Sequence, residues 1–216
     1  MILIACRSTS QRFPGKHLAN LGGFTLLDIL ISRVSPVMPF AFLIPTGDPI
    51  KEAIWERNAM YFEGPEDDVL KRYMLAMDRF KLSWCLRVTG DCPLISPQDI
   101  LWMAQVCTST GIDYGTNCLH NPTDGQEIEF ISRRMMEKMH GKADNEFDRE
   151  HVTPIAVRMM REVQAGKPGT HGFKFYEAPN QFAWHGAGKL SVDTIEDLAR
   201  VEAVMAKMHG KAEKDG

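Results

Sequence analysis

The 216-residue chain has five cysteines (Cys6, Cys85, Cys92, Cys107 and Cys118) and no Cys-x-x-Cys pair among them. An odd count without zinc-type spacing argues against a disulfide framework or a structural zinc site, and predicts reduced thiols in a cytoplasmic protein. No apolar run reaches the roughly 18 residues of a membrane span, and the basic-then-apolar opening of a secretion signal is missing. No long basic run accompanies the net charge of −3, which argues against a nucleic-acid binder relying on a broad phosphate-neutralising face. There is no internal repeat and no linker rich enough in Gly, Pro or Ser to divide the chain. What remains is a globular chain whose 44% hydrophobic residues suffice for a core without cross-links. Its thirteen methionines suit irregular gaps in such a core.

Strand-like apolar runs alternate with helical patterns. Ile2–Ala5, Phe40–Ile44, Met60–Phe62 and Ser83–Val88 read as strands. Phe24–Val34, Lys51–Asn58, Asp67–Phe80 and Pro97–Cys107 read as helices, the first carrying Leu26, Leu27, Leu30, Ile31 and Val34 on one face. Further on, Glu127–Ile131 alternates polar and apolar as a half-solvated strand does. Ser132–Met139 and Asp148–Gln164 predict helices, Phe173–Tyr176 a strand, and Lys189–Asp193 a strand running into a last helix. Thr194 caps that helix, with Asp197 as its capping-box partner. The alternation predicts a single α/β domain over residues 1–209, with a mostly parallel sheet flanked by helices and a disordered tail over 210–216.

The first strand empties into Cys6-Arg7-Ser8-Thr9-Ser10-Gln11-Arg12-Phe13-Pro14-Gly15-Lys16. Small residues let backbone N–H groups approach phosphate oxygens, and the Arg and Lys heads neutralise charge, so the loop suits a polyphosphate. The Walker spacing is absent, since Ser10 stands where its first Gly belongs, and no Gly-x-Gly-x-x-Gly follows the strand. The alternative is a basic surface loop. Asp91 follows the strand ending near Val88, and Asp193 closes the stretch before the last helix. In parallel sheets ligands bind beyond the carboxyl ends of the strands, where both carboxylates would converge and hold Mg2+. The competing readings are a turn residue for Asp91 and a helix-start residue for Asp193.

Arg7-x-x-Ser10-x-Arg12-x-Pro14-Gly15-Lys16 resembles the opening motif of the cytidylyltransferases that activate sugar acids, closest to their spore-coat polysaccharide group. Further stretches match in order: Gly64-x-Glu66-Asp67-Asp68, Arg87-Val88-Thr89-Gly90-Asp91-Cys92-Pro93, Asp124-Gly125, Arg149-Glu150-His151 and Leu190-x-Val192-Asp193-Thr194. The resemblance implies a nucleotide-sugar-transferase-like fold with CTP at the amino-terminal loop, Arg7 and Lys16 on the triphosphate, and Ser10, Arg12, Gly15, Thr89 and Gly90 shaping its site. Asp91 and Asp193 would coordinate Mg2+ beside the α-phosphate. Asp124, Gln126, Glu127, Glu129 and His151 are the candidates for the acceptor side, Glu127 and Glu129 sharing a strand face by alternation. Gln126-Glu127 departs from the Leu-Asp that the group more often shows. The implied activity is CMP transfer from CTP to a sugar acid or other small acidic acceptor, with a lobe near 117–147 projecting for homodimer contact. Two rivals are a glycosyltransferase with Asp67 or Asp68 at its metal, and a nucleotide-binding protein without catalysis.

Overall fold

The computed structural model describes residues 1–117, 119, 124–167, 172–178 and 188–212, with side chains as far as residue 207. Cys118, residues 120–123 of the expected lobe and residues 213–216 of the expected tail lie outside the described residues. The chain begins with β1 (Ile2–Ala5), whose Ile2, Leu3 and Ile4 are fully buried. An unbroken apolar run of this kind fits only a strand covered on both faces.

A 3-10 turn over Lys16–Leu18 and the hairpin β2 (Asn20–Leu21) and β3 (Phe24–Thr25) lead into α1 (Leu26–Val34). Thr25 and Asp28 form a reciprocal capping box at its start. Then follow β4 (Phe40–Pro45), α2 (Ile50–Glu56), β5 (Met60–Gly64), α3 (Val69–Arg79), β6 (Trp84–Thr89) and α4 (Pro97–Thr110). The remainder comprises β7 (Tyr114–Thr116), β8 (Glu129–Ser132), α5 (Arg133–Lys142), α6 (Glu146–His151), α7 (Pro154–Gln164), β9 (Phe175–Glu177) and α8 (Ile195–Ala212).

Seven strands make one sheet in the order β5-β4-β1-β6-β8-β7-β9. All neighbours run parallel except β8, which is antiparallel to both β6 and β7. Alternation divides the core between the two faces: Ile2, Ile4, Phe42, Ile44, Leu86 and Val88 pack on one side, Leu3, Ala41, Leu43 and Cys85 on the other. The parallel strands spread leftward from β1 through β4 to β5, then the chain crosses to β6 on the other side of β1. That reversal opens a crevice between the loops after β1 and β6, the usual ligand position in such sheets.

Several sequence expectations need correction. The 127–131 stretch is not half-solvated: Glu129, Phe130 and Ile131 are buried because β8 lies inside the sheet. With β8 paired on both sides and α5 packed by Met135, Met136 and Met139, residues 129–142 belong to the body of the domain. The helix expected over 148–164 is two helices. Val152 (φ +71°, ψ −57°) breaks it, with Thr153 N–H donating to the His151 carbonyl at 2.8 Å. This is the strained form of γ-turn, adopted here by a fully buried β-branched residue. Residues 189–193 form no strand; they dock through Leu190 N–H to the Asp124 carbonyl (2.6 Å) and Val192 N–H to the Asp91 carbonyl (2.8 Å). Helix α8 continues past residue 209 to Ala212.

The Thr25–Asp28 cap yields a stability prediction. Arg57 Nε donates to Asp28 Oδ1 at 2.6 Å, and this bond, with the Thr25 contacts, holds the Asp28 carboxyl down to about 2 from its ordinary 3.8. Asp28→Ala is expected to cost about 1–2 kcal/mol at neutral pH, the usual worth of a cap. A depressed carboxyl stabilises above its unfolded value and loses that contribution as pH falls through its folded value. The difference between wild type and variant in urea denaturation should therefore narrow between pH 3.8 and about 2.

Candidate active site

The loop after β1 folds back on itself. Gly15 N–H donates to the Ser8 carbonyl (3.1 Å) and Lys16 N–H to the Phe13 carbonyl (3.3 Å), placing Lys16 at the start of the 3-10 turn. Its aliphatic stem is buried, the residue being 7% exposed, and its ammonium reaches the end of β6. There Lys16 Nζ lies 3.2 Å from Asp91 Oδ2, 3.2 Å from Asp193 Oδ1 and 2.8 Å from the Val192 carbonyl. Arg12 Nη2 lies 3.1 Å from the same Asp193 oxygen. Residues 12, 16, 91 and 193, singled out separately in the sequence, thus meet at one point.

Gly90 makes this approach possible. Parallel pairing sets Thr89 opposite Ala5, and Gly90 N–H donates to the Ala5 carbonyl at 3.0 Å. A Cβ on Gly90 would lie 2.8 Å from that carbonyl oxygen, 2.8 Å from Cys6 Cβ and 2.9 Å from His17 Nε2. Gly90→Ala is therefore expected to destabilise by about 1–3 kcal/mol, the cost of overpacking, and to lower the thermal midpoint by roughly 2–4 °C for each kcal/mol. Gly125 plays the same part for the third segment: at φ +99°, its Cβ would stand 2.3 Å from Ser191 N. The Asp124–Glu127 loop therefore packs directly on the stretch that carries Asp193.

The electrostatics follow from these contacts. Burial pushes the Asp91 carboxyl up, but Lys16 and the Thr89 hydroxyl outweigh it and hold Asp91 below the ordinary carboxylate range. Asp193 behaves alike: burial raises it, and Lys189 and Lys16 bring it below its ordinary value. Glu127 is the opposite case. Burial is its largest influence and Asp124 and Asp91 add to it, so its carboxyl is pushed up although Gly125 N–H donates to Oε2 at 2.7 Å. Cys92, buried between Asp91 and Glu127, has its thiol pushed well up by burial and those two carboxylates and stays protonated.

Asp91 and Asp193 open onto a cleft of about 590 Å3 lined also by Asp124, Glu127, Glu129 and His151 from the acceptor-side candidates. His151 is exposed and packs against Phe147 with ring centroids 4.4 Å apart and the ring planes tilted by 51°. Glu129 is only 3% exposed, and both its oxygens are engaged, by Arg87 directly opposite on β6 and by the Tyr114 hydroxyl. Gln126 is fully buried and donates through Nε2 to the Leu94 carbonyl at 2.5 Å, so its side chain lies beneath the cleft wall. Arg7 stands apart from the Lys16 cluster, exposed, with its guanidinium 3.8 Å from Glu150. Thr89 faces the Cys92 thiol at 2.9 Å, and Ser10 is half-buried in the loop.

Sequence reasoning overlooked some residues here. Arg87, Arg158 and Arg161 line the cleft, and the i, i+3 spacing of the two α7 arginines was a readable signal of a shared face. Asp48 is 5% exposed and accepts the Ser8 N–H at 2.9 Å, tying the loop after β1 to the end of β4. Asp68 is the N-cap of α3, accepting from Lys71 N–H at 2.8 Å and from Arg149 Nη1 at 2.6 Å, and is not among the cleft residues.

The donor set can be tested against a metal. Two carboxylate oxygens converge on one point, and among the described residues no third acid, thiol or imidazole completes a protein-only site. Such a set suits Mg2+, which completes its shell with water and phosphate oxygens, and does not suit zinc.

The sequence profile of the cytidylyltransferase family matches residues 1–209. The chain belongs to the cytidylyltransferase family. Among its relatives is the spore coat polysaccharide biosynthesis protein SpsF of Bacillus subtilis, 29% identical, over 96% of this chain and 86% of that protein. The 3-deoxy-manno-octulosonate cytidylyltransferase of an Anaeromyxobacter species is 26% identical over 95% of this chain and 96% of its own length. A cytidylyltransferase from Leptospira borgpetersenii superposes with a TM-score of 0.82 at 25% identity, covering 95% of this chain and 86% of that one. This cytidylyltransferase therefore carries the fold expected from its strand and helix pattern. No helix among its described residues is long and apolar enough to cross a membrane.

Proposed function

We propose that this cytidylyltransferase couples CTP to a small acidic sugar, releasing pyrophosphate in a Mg2+-dependent step that supplies surface polysaccharide synthesis in the cytoplasm. The observation that carries the reading is the meeting of Lys16, Asp91 and Asp193 at the carboxyl ends of β1 and β6, where it faces the cleft. The loop after β1, with Arg7, Ser10, Arg12, Gly15 and Lys16, is the cradle for the triphosphate, with Thr89 and Gly90 forming its floor. Asp91 and Asp193 would hold the ion, which supplies charge neutralisation at the α-phosphate.

Transfer of this kind needs in-line positioning and charge stabilisation rather than a covalent intermediate. Arg12 and Lys16 meet the charge that develops on pyrophosphate as it leaves. The cleft wall carries Arg161 for an anionic acceptor, with His151 and Asp124 for its hydroxyls, while Arg87 and Arg158 in the same wall are held by Glu129 and Asp148. Glu127, whose carboxyl burial pushes up, would take the proton of an attacking hydroxyl. A homodimer belongs to the same reading, and Phe147, 58% exposed at the cleft edge, is a side chain suited to the contact.

The test is pyrophosphate release across CTP, UTP, ATP and GTP with a panel of acceptors: 2-keto-3-deoxy sugar acids, nine-carbon amino sugar acids and sugar phosphates. Release confined to CTP plus an acidic acceptor supports the reading. Turnover only with a ready-made sugar nucleotide would replace it with a glycosyltransferase.

A further inference from the structure

The Lys16 ammonium occupies the point at which the two proposed metal-holding carboxylates converge. Its three acceptors, Asp91 Oδ2, Asp193 Oδ1 and the Val192 carbonyl, use the full donor capacity of an ammonium group. The other oxygens of the pair are less available. Asp193 Oδ2 accepts from Lys189 Nζ at 3.0 Å, and Asp91 Oδ1 faces the Cys92 thiol at 3.5 Å. Lys189 is itself anchored to Asp197 Oδ2 at 2.7 Å, and Asp197 also accepts the Asp193 N–H at 3.1 Å, so Asp193 is braced by the start of α8. A divalent ion entering between the acids would need the oxygens that Lys16 holds, and two cations there repel each other in a partly desolvated site.

Charge balance points the same way. Three connected carboxylates, Asp91, Asp193 and Asp197, already face four cations, Lys16, Arg12, Lys189 and Arg200. Adding a divalent ion while Lys16 stays leaves an excess of positive charge. A triphosphate supplies the missing negative charge and offers the ammonium new acceptors. A lysine is suited to such an exchange, because its compact charge rides on a flexible four-carbon stem.

Resting on the reading of the site given above, we infer that the Lys16 ammonium and a divalent cation compete for the Asp91–Asp193 pair, so that metal and nucleotide enter together. The nucleotide phosphates draw Lys16 away from the acids, and the vacated oxygens take the ion. By linkage, each ligand then strengthens the other's binding by the same factor.

The experiment measures Mn2+ binding to the full chain by electron paramagnetic resonance, with and without the non-reacting analogue α,β-methylene-CTP. Wild type should bind the ion weakly alone and at least about tenfold more tightly with the analogue, within the usual range of coupling. Lys16→Met should bind Mn2+ alone at least about tenfold more tightly than wild type does, and Lys16→Arg, which keeps the charge, should show no such gain. Adding Asp91→Asn to Lys16→Met should abolish the gain. Circular dichroism and thermal melting check folding, and Lys16→Gln replaces the Met variant if that one does not fold. A folded neutral variant that binds Mn2+ no better than wild type overturns the competition. So does a gain that survives Asp91→Asn. If wild type binds no ion even with the analogue, it is the metal-dependent nucleotidyltransferase reading that fails, a result separate from the behaviour of Lys16.

Discussion

Asp91→Asn is expected to lower CTP turnover by about 10³-fold or more, because it removes the charge that pairs with Asp193 and leaves the shape unchanged. Loss of one preorganised charge-stabilising group typically costs about 10²–10³ in rate, and on the proposed reading the same change would also weaken the hold on the ion. The substitution is isosteric, and Lys16 keeps the Asp193 oxygen and the Val192 carbonyl as acceptors. The stability cost should accordingly be about 1 kcal/mol, or about 2–4 °C in a chain of this size. A stopped assay for pyrophosphate, run beside a thermal melt, separates the two effects. Wild-type turnover in a folded Asp91→Asn protein would remove Asp91 from the reaction.

Lys16→Ala is the second large effect, and of a different kind. The residue is proposed to meet the nucleotide phosphates, so its removal should lower kcat/KM for CTP by about 10²–10³-fold, with part of the loss in KM. It also leaves Asp91 and Asp193 facing each other without the ammonium between them. An unpaired buried polar group costs about 1–3 kcal/mol, so Lys16→Ala should melt earlier than Asp91→Asn does. Lys16→Arg restores the charge with a planar head in place of a compact one, and should recover stability more fully than rate. Initial rates over a CTP titration, with melting curves on the same preparations, decide this. Equal kcat/KM for Lys16→Ala and wild type would show the lysine to be a structural ion pair.

Elements with a self-contained signal were readable in advance. The run Ile2-Leu3-Ile4 can only be a strand covered on both sides, and Thr194 with Asp197 marks the start of α8, where Asp197 N–H donates to Thr194 Oγ1 at 3.3 Å. The amphipathic stripe of α3, with Leu70, Tyr73 and Met77 buried, likewise declares itself through its period. Strand β7 did not. Its Tyr-Gly-Thr is too short to show a period, and Gly115 sits where a Cβ would lie 2.7 Å from Cys107 Sγ, so only packing on α4 defines it. The break at Val152 was hidden for a related reason. Pro154 is allowed in the first turn of a helix, and nothing local predicts a β-branched residue at positive φ.

The amino-acid sequence by itself determined the α/β class, the parallel core strands and the helix caps, and it marked the candidate residues for nucleotide chemistry, because each depends on side-chain period, turn chemistry or motif within a few positions. Only the tertiary structure decided which of those residues meet. Lys16 is 75 positions from Asp91 and 177 from Asp193, and their contact follows from parallel β1–β6 pairing and from docking of the 190–193 stretch onto Asp91 and Asp124. Glu129 shows the same dependence: a carboxylate on an alternating strand reads as solvated until β6 places Arg87 opposite it. Contacts between distant segments are set by sheet order and close backbone approach, and neither leaves a periodic trace along the chain.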